Sequence, residues 1–190
     1  MKHLLIIAII LFSLTSFAQD TTKHATKKPV PEVTAELMPF QKDPFIPEFS
    51  ILLADSTHFT NKNIQKGRPT VIVYFSPECS HCQADAKNLM EKLDSLKDIN
   101  FVWSSSHEAD KLAAFAVKYN MDKQTNMVFG KDEKWAIPSF FKITFTPYFA
   151  VYDKDGVFFT EFRNGLLPKD LIKAVEDSNK PKEVKKKKKK

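Results

Sequence analysis

The chain has 190 residues, 43% of them hydrophobic and 27% charged, which fits one folded domain with length left over for tails. Its net charge of +6 belongs mostly to the ends: without Lys2 and the run Lys185 to Lys190, the remainder carries −1. A near-neutral domain with no basic–aromatic groove argues against nucleic acid as a substrate.

Met1-Lys2-His3 is a short basic start, and Leu4 to Leu14 is an apolar run too short to span a bilayer as a mature helix. Ser16-Phe17-Ala18 supplies small residues where a signal peptidase reads, so residues 1–18 predict a secretory signal peptide cut between Ala18 and Gln19. No cysteine follows the run, which excludes lipid attachment there. Residues 19–44 are rich in Thr, Lys and Pro (Pro29, Pro31, Pro39, Pro44) and predict a linker. The domain is expected over residues 45–180. Residues 181–190 form a lysine-rich tail, read as a solvated end or as a weak contact with an anionic surface, where each lysine contributes about 1 kcal/mol.

Within the domain, Phe49, Ile51 and Leu53 suggest a strand, Asp55-Ser56-Thr57 a turn, and His58-Phe59-Thr60 a returning strand. Lys66-Gly67-Arg68-Pro69 punctuates before Thr70 to Phe75, an apolar β-branched run that reads as a buried strand. A helical pattern follows, with Ala86, Leu89, Met90, Leu93 and Leu96 on one face. Asn100 to Ser104 predicts a second buried strand, Glu108 to Tyr119 a helix, Thr125 to Phe129 a short strand and Trp135 to Ile143 a short helix. Tyr148 to Tyr152 and Val157 to Phe162 predict a hairpin about the turn Asp153-Lys154-Asp155-Gly156. A last helix, Lys169 to Glu176, is opened by Leu167-Pro168. Strands alternating with helices imply an α/β sheet with an antiparallel hairpin at one edge.

The only two cysteines lie in Pro77-Glu78-Cys79-Ser80-His81-Cys82, where the buried strand hands over to a helix. The first turn of a helix carries unpaired N–H groups and the positive end of the dipole, and both stabilise a thiolate. The thiolate is the reactive form, and a Cys-x-x-Cys pair at this location lowers its pKa. In an exported chain paired cysteines are usually structural bridges, but a loop this short staples almost nothing. The motif therefore points to exchange between a dithiol and a disulfide. Cys79, nearer the helix start, is the expected nucleophile, and Cys82, one turn further in, the resolving thiol.

The order of elements resembles the thioredoxin fold over roughly residues 45–178. It is most similar to exported thioredoxin-like proteins related to the cytochrome-c-maturation reductases and the peroxiredoxins. The resemblance rests on Ile46-Pro47-Glu48-Phe49 with Lys66 to Val71, on the cysteine motif, and on Phe145-Thr146-Pro147-Tyr148 followed by Tyr152 to Gly156. It implies a central mixed sheet flanked by helices, with an added N-terminal β-hairpin. It also implies a cis bond before Pro147, facing the cysteines, with the Thr146 backbone free to pair with an extended substrate chain. His81 precedes the second cysteine, as in the strongly oxidising periplasmic relatives, where a histidine can donate to the first cysteine's thiolate. Three departures stand out. Thioredoxin's buried aspartate is Val73 here, the tryptophan usual before the first cysteine is Glu78, and the reductases' glutamate three residues after the second cysteine is Asp85. Asp85 reads either as a proton acceptor for Cys82 or as a first-turn aspartate complementing the helix dipole.

The resemblance thus implies an exported, periplasmic or otherwise extracytosolic thiol–disulfide oxidoreductase. It would act on protein cysteines and disulfides, with a separate redox partner protein. It would need no cofactor and no metal, because electrons pass through the cysteine pair. Two alternatives share the fold. A thiol peroxidase usually carries Pro-x-x-x-Thr-x-x-Cys, which the run Val73 to Cys79 lacks. A Cu(I)-binding module would use soft thiolates.

Overall fold

The computed structural model describes residues 37–180. The expected leader, residues 19–36 of the expected linker and the lysine-rich tail lie outside the described residues. Among the described residues no helix is long and apolar enough to cross a membrane.

The elements run α1 (Pro39–Lys42), β1 (Ser50–Leu52), β2 (His58–Thr60), β3 (Thr70–Tyr74), α2 (Ser80–Met90), α3 (Leu93–Leu96), β4 (Asn100–Ser105), α4 (Ala109–Lys118), β5 (Met127–Lys131), α5 (Ala136–Phe141), β6 (Tyr148–Tyr152), β7 (Phe158–Arg163) and α6 (Pro168–Ser178). They build a seven-stranded sheet of order β2-β1-β5-β4-β3-β6-β7. β3, β4 and β5 are parallel, and the β6–β7 hairpin is antiparallel to β3 at one edge. The β1–β2 hairpin extends the opposite edge through β5. The expected mixed sheet with an N-terminal hairpin is the one observed.

β3 is buried along its whole length, as a continuous apolar run between two covered faces should be. Its side chains alternate. Val71 and Val73 join Phe75, Leu89, Trp103, Phe115, Phe149 and Leu171 on one face. Ile72 and Tyr74 join Ile51, Val102, Phe141, Tyr148 and Tyr152 on the other. Cys82 is part of the first core, so α2 is anchored by the same packing that holds the sheet.

The structure differs from the sequence-based expectation in three places. The helix after the cysteines is two helices, with a break at Glu91–Lys92 that turns Leu96 fully into the core. The fifth strand begins at Met127, two residues later than expected. Asn126 is held below it, its side-chain amide donating to Leu96 O at 2.9 Å and Ile99 O at 2.7 Å. Secondary structure also begins within the proline-rich segment. Pro39–Lys42 is a helical turn, and Phe40 stacks on Phe158 with ring centroids 4.4 Å apart.

The junction of the N-terminal hairpin with the sheet depends on a missing side chain. A Cβ on Gly130 would lie 2.8 Å from Ile51 Cγ1 and 2.9 Å from its Cβ, and Ile51 is fully buried. Gly130→Ala is expected to cost about 1–3 kcal/mol by overpacking, read as a lower urea midpoint with an unchanged slope. An unchanged midpoint would show that the hairpin yields without cost.

Candidate active site

β3 ends at Tyr74, and the chain reaches α2 through Phe75 to Glu78, with Gln83 Nε2 donating to Pro77 O at 2.8 Å across that loop. Cys79 is the N-cap of α2, with extended backbone angles. Its sulfur accepts the Cys82 N–H at 3.4 Å, the capping bond that Ser or Asp usually makes. Its thiol also lies 3.7 Å from the Thr146 carbonyl oxygen. Cys79 is half-buried and Cys82 fully buried, and both are free thiols.

This placement splits the two thiols electrostatically. Burial pushes Cys79 up, but hydrogen bonds from the Cys82 thiol and N–H, the Thr146 side chain and the His81 N–H outweigh it, so its pKa falls below the ordinary value. Cys82 is pushed up to about 12, by burial first and then by its hydrogen bond to Cys79. The thiolate is therefore favoured at Cys79, within reach of solvent, and disfavoured at Cys82 in the core.

The Thr146–Pro147 bond is cis, and this segment sits against Cys79 through the Thr146 carbonyl. Tyr148, the first residue of β6, fixes it from behind. The Tyr148 hydroxyl donates to Glu161 Oε2 at 2.7 Å, and Arg163 donates to both oxygens of the same carboxylate. Phe145, next to Thr146, is 74% exposed.

Asp85 is one turn beyond Cys82 on α2 and only 7% exposed. Burial raises its pKa to about 6, against the opposing pull of the Leu166 N–H and the charge of His81. Asp85 Oδ2 has no hydrogen-bond partner. A Cβ on Gly165, whose φ is +113°, would lie 3.4 Å from that oxygen. Asp85 and His81 line an open cleft of about 420 Å3 together with Asn164, Leu167 and Asp170. His81 thus gives Cys79 its backbone N–H, while its side chain lines the Asp85 cleft. Val73 is buried with no polar group to offer, and Glu78 lies outside, 3.8 Å from Lys111, both exposed.

The loop Asn164 to Leu166 escaped the sequence reading. Asn164-Gly165 is a turn signal directly after a strand, but nothing in the sequence places that turn over Asp85.

Residues 58–179 match the family model described as a thioredoxin-like domain, and the chain belongs to that family. No curated protein matches its sequence. Its fold is similar to that of a secreted Mycobacterium tuberculosis disulfide oxidoreductase homologous to Escherichia coli DsbE, at 22% identity and a TM-score of 0.57, covering 68% of this chain and 95% of that one. A peroxiredoxin-like protein from Aquifex aeolicus is similar at 13% identity and a TM-score of 0.56, covering 70% and 85%. Arabidopsis thaliana ScoI with copper bound is similar at 12% identity and a TM-score of 0.55, covering 69% and 98%.

Proposed function

We propose that the protein is an exported thiol–disulfide oxidoreductase that exchanges disulfides with cysteines of other proteins. The observation that carries this reading is the capping of α2 by a half-exposed Cys79 sulfur above a fully buried Cys82. In the reducing direction the Cys79 thiolate attacks one sulfur of a substrate disulfide. The substrate S–S bond breaks, one substrate thiolate leaves, and a mixed disulfide forms. Cys82 then gives up its proton and attacks Cys79 Sγ, which releases the second substrate thiol and leaves a Cys79–Cys82 disulfide. Two electrons have passed to the substrate, and a redox partner protein must restore the dithiol. The same steps run backwards for oxidation. Thr146 and Pro147 are the platform for an extended substrate chain, and Asp85, on the turn after Cys82, is the acceptor for its proton. The leader sequence and the secreted character of the DsbE-related neighbour support export.

The Cys79–Cys82 potential against glutathione, followed by alkylation of the free thiols, tests this reading. A stabilised Cys79 thiolate favours the reduced form, so a value between about −270 and −120 mV is expected. A value below that range would mean that Glu78, not the hydrogen bonds to Cys79, dominates the thiolate. Peroxide-driven turnover, or tight Cu(I) binding without exchange on protein disulfides, would replace the reading with one of the two alternatives.

A further inference from the structure

β3 has two ends. Its C-terminal end leads to Cys79, and its N-terminal end opens onto a cavity of about 500 Å3 that takes no part in the exchange. Lys62, Lys66, Arg68 and Lys154 line it. The one carboxylate in its wall, Asp155, already pairs with Lys154 at 3.1 Å. Among the described residues no carboxylate pairs with Lys62, Lys66 or Arg68. Residues 37–180 hold 18 Lys and Arg against 19 Asp and Glu, so this excess of cations is local.

Three further features converge on the same end. Gly67, with φ +80°, leaves an open stretch of backbone between Lys66 and Arg68, with no atom within 4 Å of where its Cβ would stand. Phe45, at the rim of the cavity, is 57% exposed. The C-terminal end of α6 also arrives here, because Asn179 and Pro69 line one cavity of about 350 Å3, with Asp98 and Glu176 as its carboxylates. From Lys180 the sequence continues with Lys182 and Lys185 to Lys190. α6 begins beside Asp85 and ends beside Pro69, and β6 runs from just after Pro147 to just before the turn that holds Asp155 and Gly156. The domain therefore has a redox end and a basic end, separated by the roughly 16 Å length of a five-residue strand.

We propose that the basic end docks on an anionic phospholipid surface, with a headgroup phosphate held between Lys62, Lys66 and Arg68 and the Phe45 ring in the interface. Cations without counter-charges gain most at a surface of fixed negative charge. An exposed apolar ring beside them can bury at the headgroup–acyl boundary of a bilayer, which a purely aqueous anion does not offer. Docking in this orientation directs Cys79 and the Thr146-Pro147 platform away from the lipid, where substrate chains are free to approach.

The test is co-sedimentation of residues 19–190 with vesicles of phosphatidylglycerol and phosphatidylcholine, and with phosphatidylcholine alone. Binding is expected only to the anionic vesicles and should weaken with salt. The combined variant Lys62→Gln, Lys66→Gln, Arg68→Gln should lose about a hundredfold in partitioning, with its thermal midpoint and its insulin reduction in solution unchanged. A second variant, with Lys185 to Lys190 replaced by Gln, should retain binding that the triple substitution then removes. Undiminished binding of the triple variant would overturn the proposal and assign the contact to the tail alone. Saturation of the cavity by inorganic phosphate without vesicle binding would make it a free-anion site. Binding of polyglutamate in place of vesicles would make it a surface for an acidic protein.

Discussion

Cys79→Ser is expected to reduce insulin no faster than dithiothreitol alone, whereas Cys82→Ser is expected to accumulate mixed disulfides with substrate proteins. The asymmetry follows from position. Cys79 is half-buried at the first turn of α2, where the Cys82 and His81 N–H groups stabilise its thiolate, and serine offers no comparable nucleophile. Cys82 is fully buried, and a pKa of about 12 keeps it protonated at any working pH. It cannot meet a substrate disulfide directly and acts only on the sulfur beside it. Serine at position 82 keeps a hydroxyl to donate to Cys79 but cannot resolve the intermediate. Electrophoresis without reductant, with thiols blocked at intervals, separates the two variants. Trapping by Cys79→Ser and not by Cys82→Ser would reverse the roles.

The elements that the sequence makes legible are those fixed by local chemistry. The β-branched run at Thr70 to Tyr74 has no other comfortable conformation, and it is the buried centre of the sheet. The turn at Asp153 to Gly156 places β6 and β7 by its own residues, and Gly156 has the positive φ that the turn requires. The cysteine pair is legible for the same reason, since strand, motif and helix follow one another without a gap. Failures occur where a distant contact decides. The end of α2 depends on seating Leu96 in the core, and the start of β5 depends on Asn126 reaching back to Leu96 and Ile99. Residues 39–42 look like linker because four prolines dominate the segment, yet Phe40 stacks on Phe158 of β7. At the site, Asp85 could be named from its spacing to Cys82, but not its burial. That burial comes from Gly165 and Leu166, eighty residues further along the chain.

Asp85→Asn should make stability less dependent on pH and should slow resolution. The folded pKa of Asp85 is raised from 3.8 to about 6. A group raised in this way favours folding only while it is protonated. Its contribution is complete below pH 3.8 and is lost as pH rises through 6, so at pH 8 the wild-type protein carries a buried charge. The difference corresponds to about 3 kcal/mol, at about 1.4 kcal/mol per pKa unit. Asparagine keeps an oxygen for the Leu166 N–H and adds no charge. The variant should therefore match the wild type in urea near pH 4 and exceed it near pH 8 by up to that amount. Cys82, at about 12, stays neutral throughout this window and does not blur the comparison. Loss of the carboxylate should also slow the attack of Cys82 on the mixed disulfide at pH 8, by on the order of a hundredfold for a lost general base. Stopped-flow decay of a mixed disulfide with a fluorescent peptide measures that step. The same pH dependence of stability in both proteins would show that the pKa of Asp85 does not change on folding. Added stability with an unchanged decay would remove Asp85 from proton transfer and leave the loop at Gly165 as packing alone.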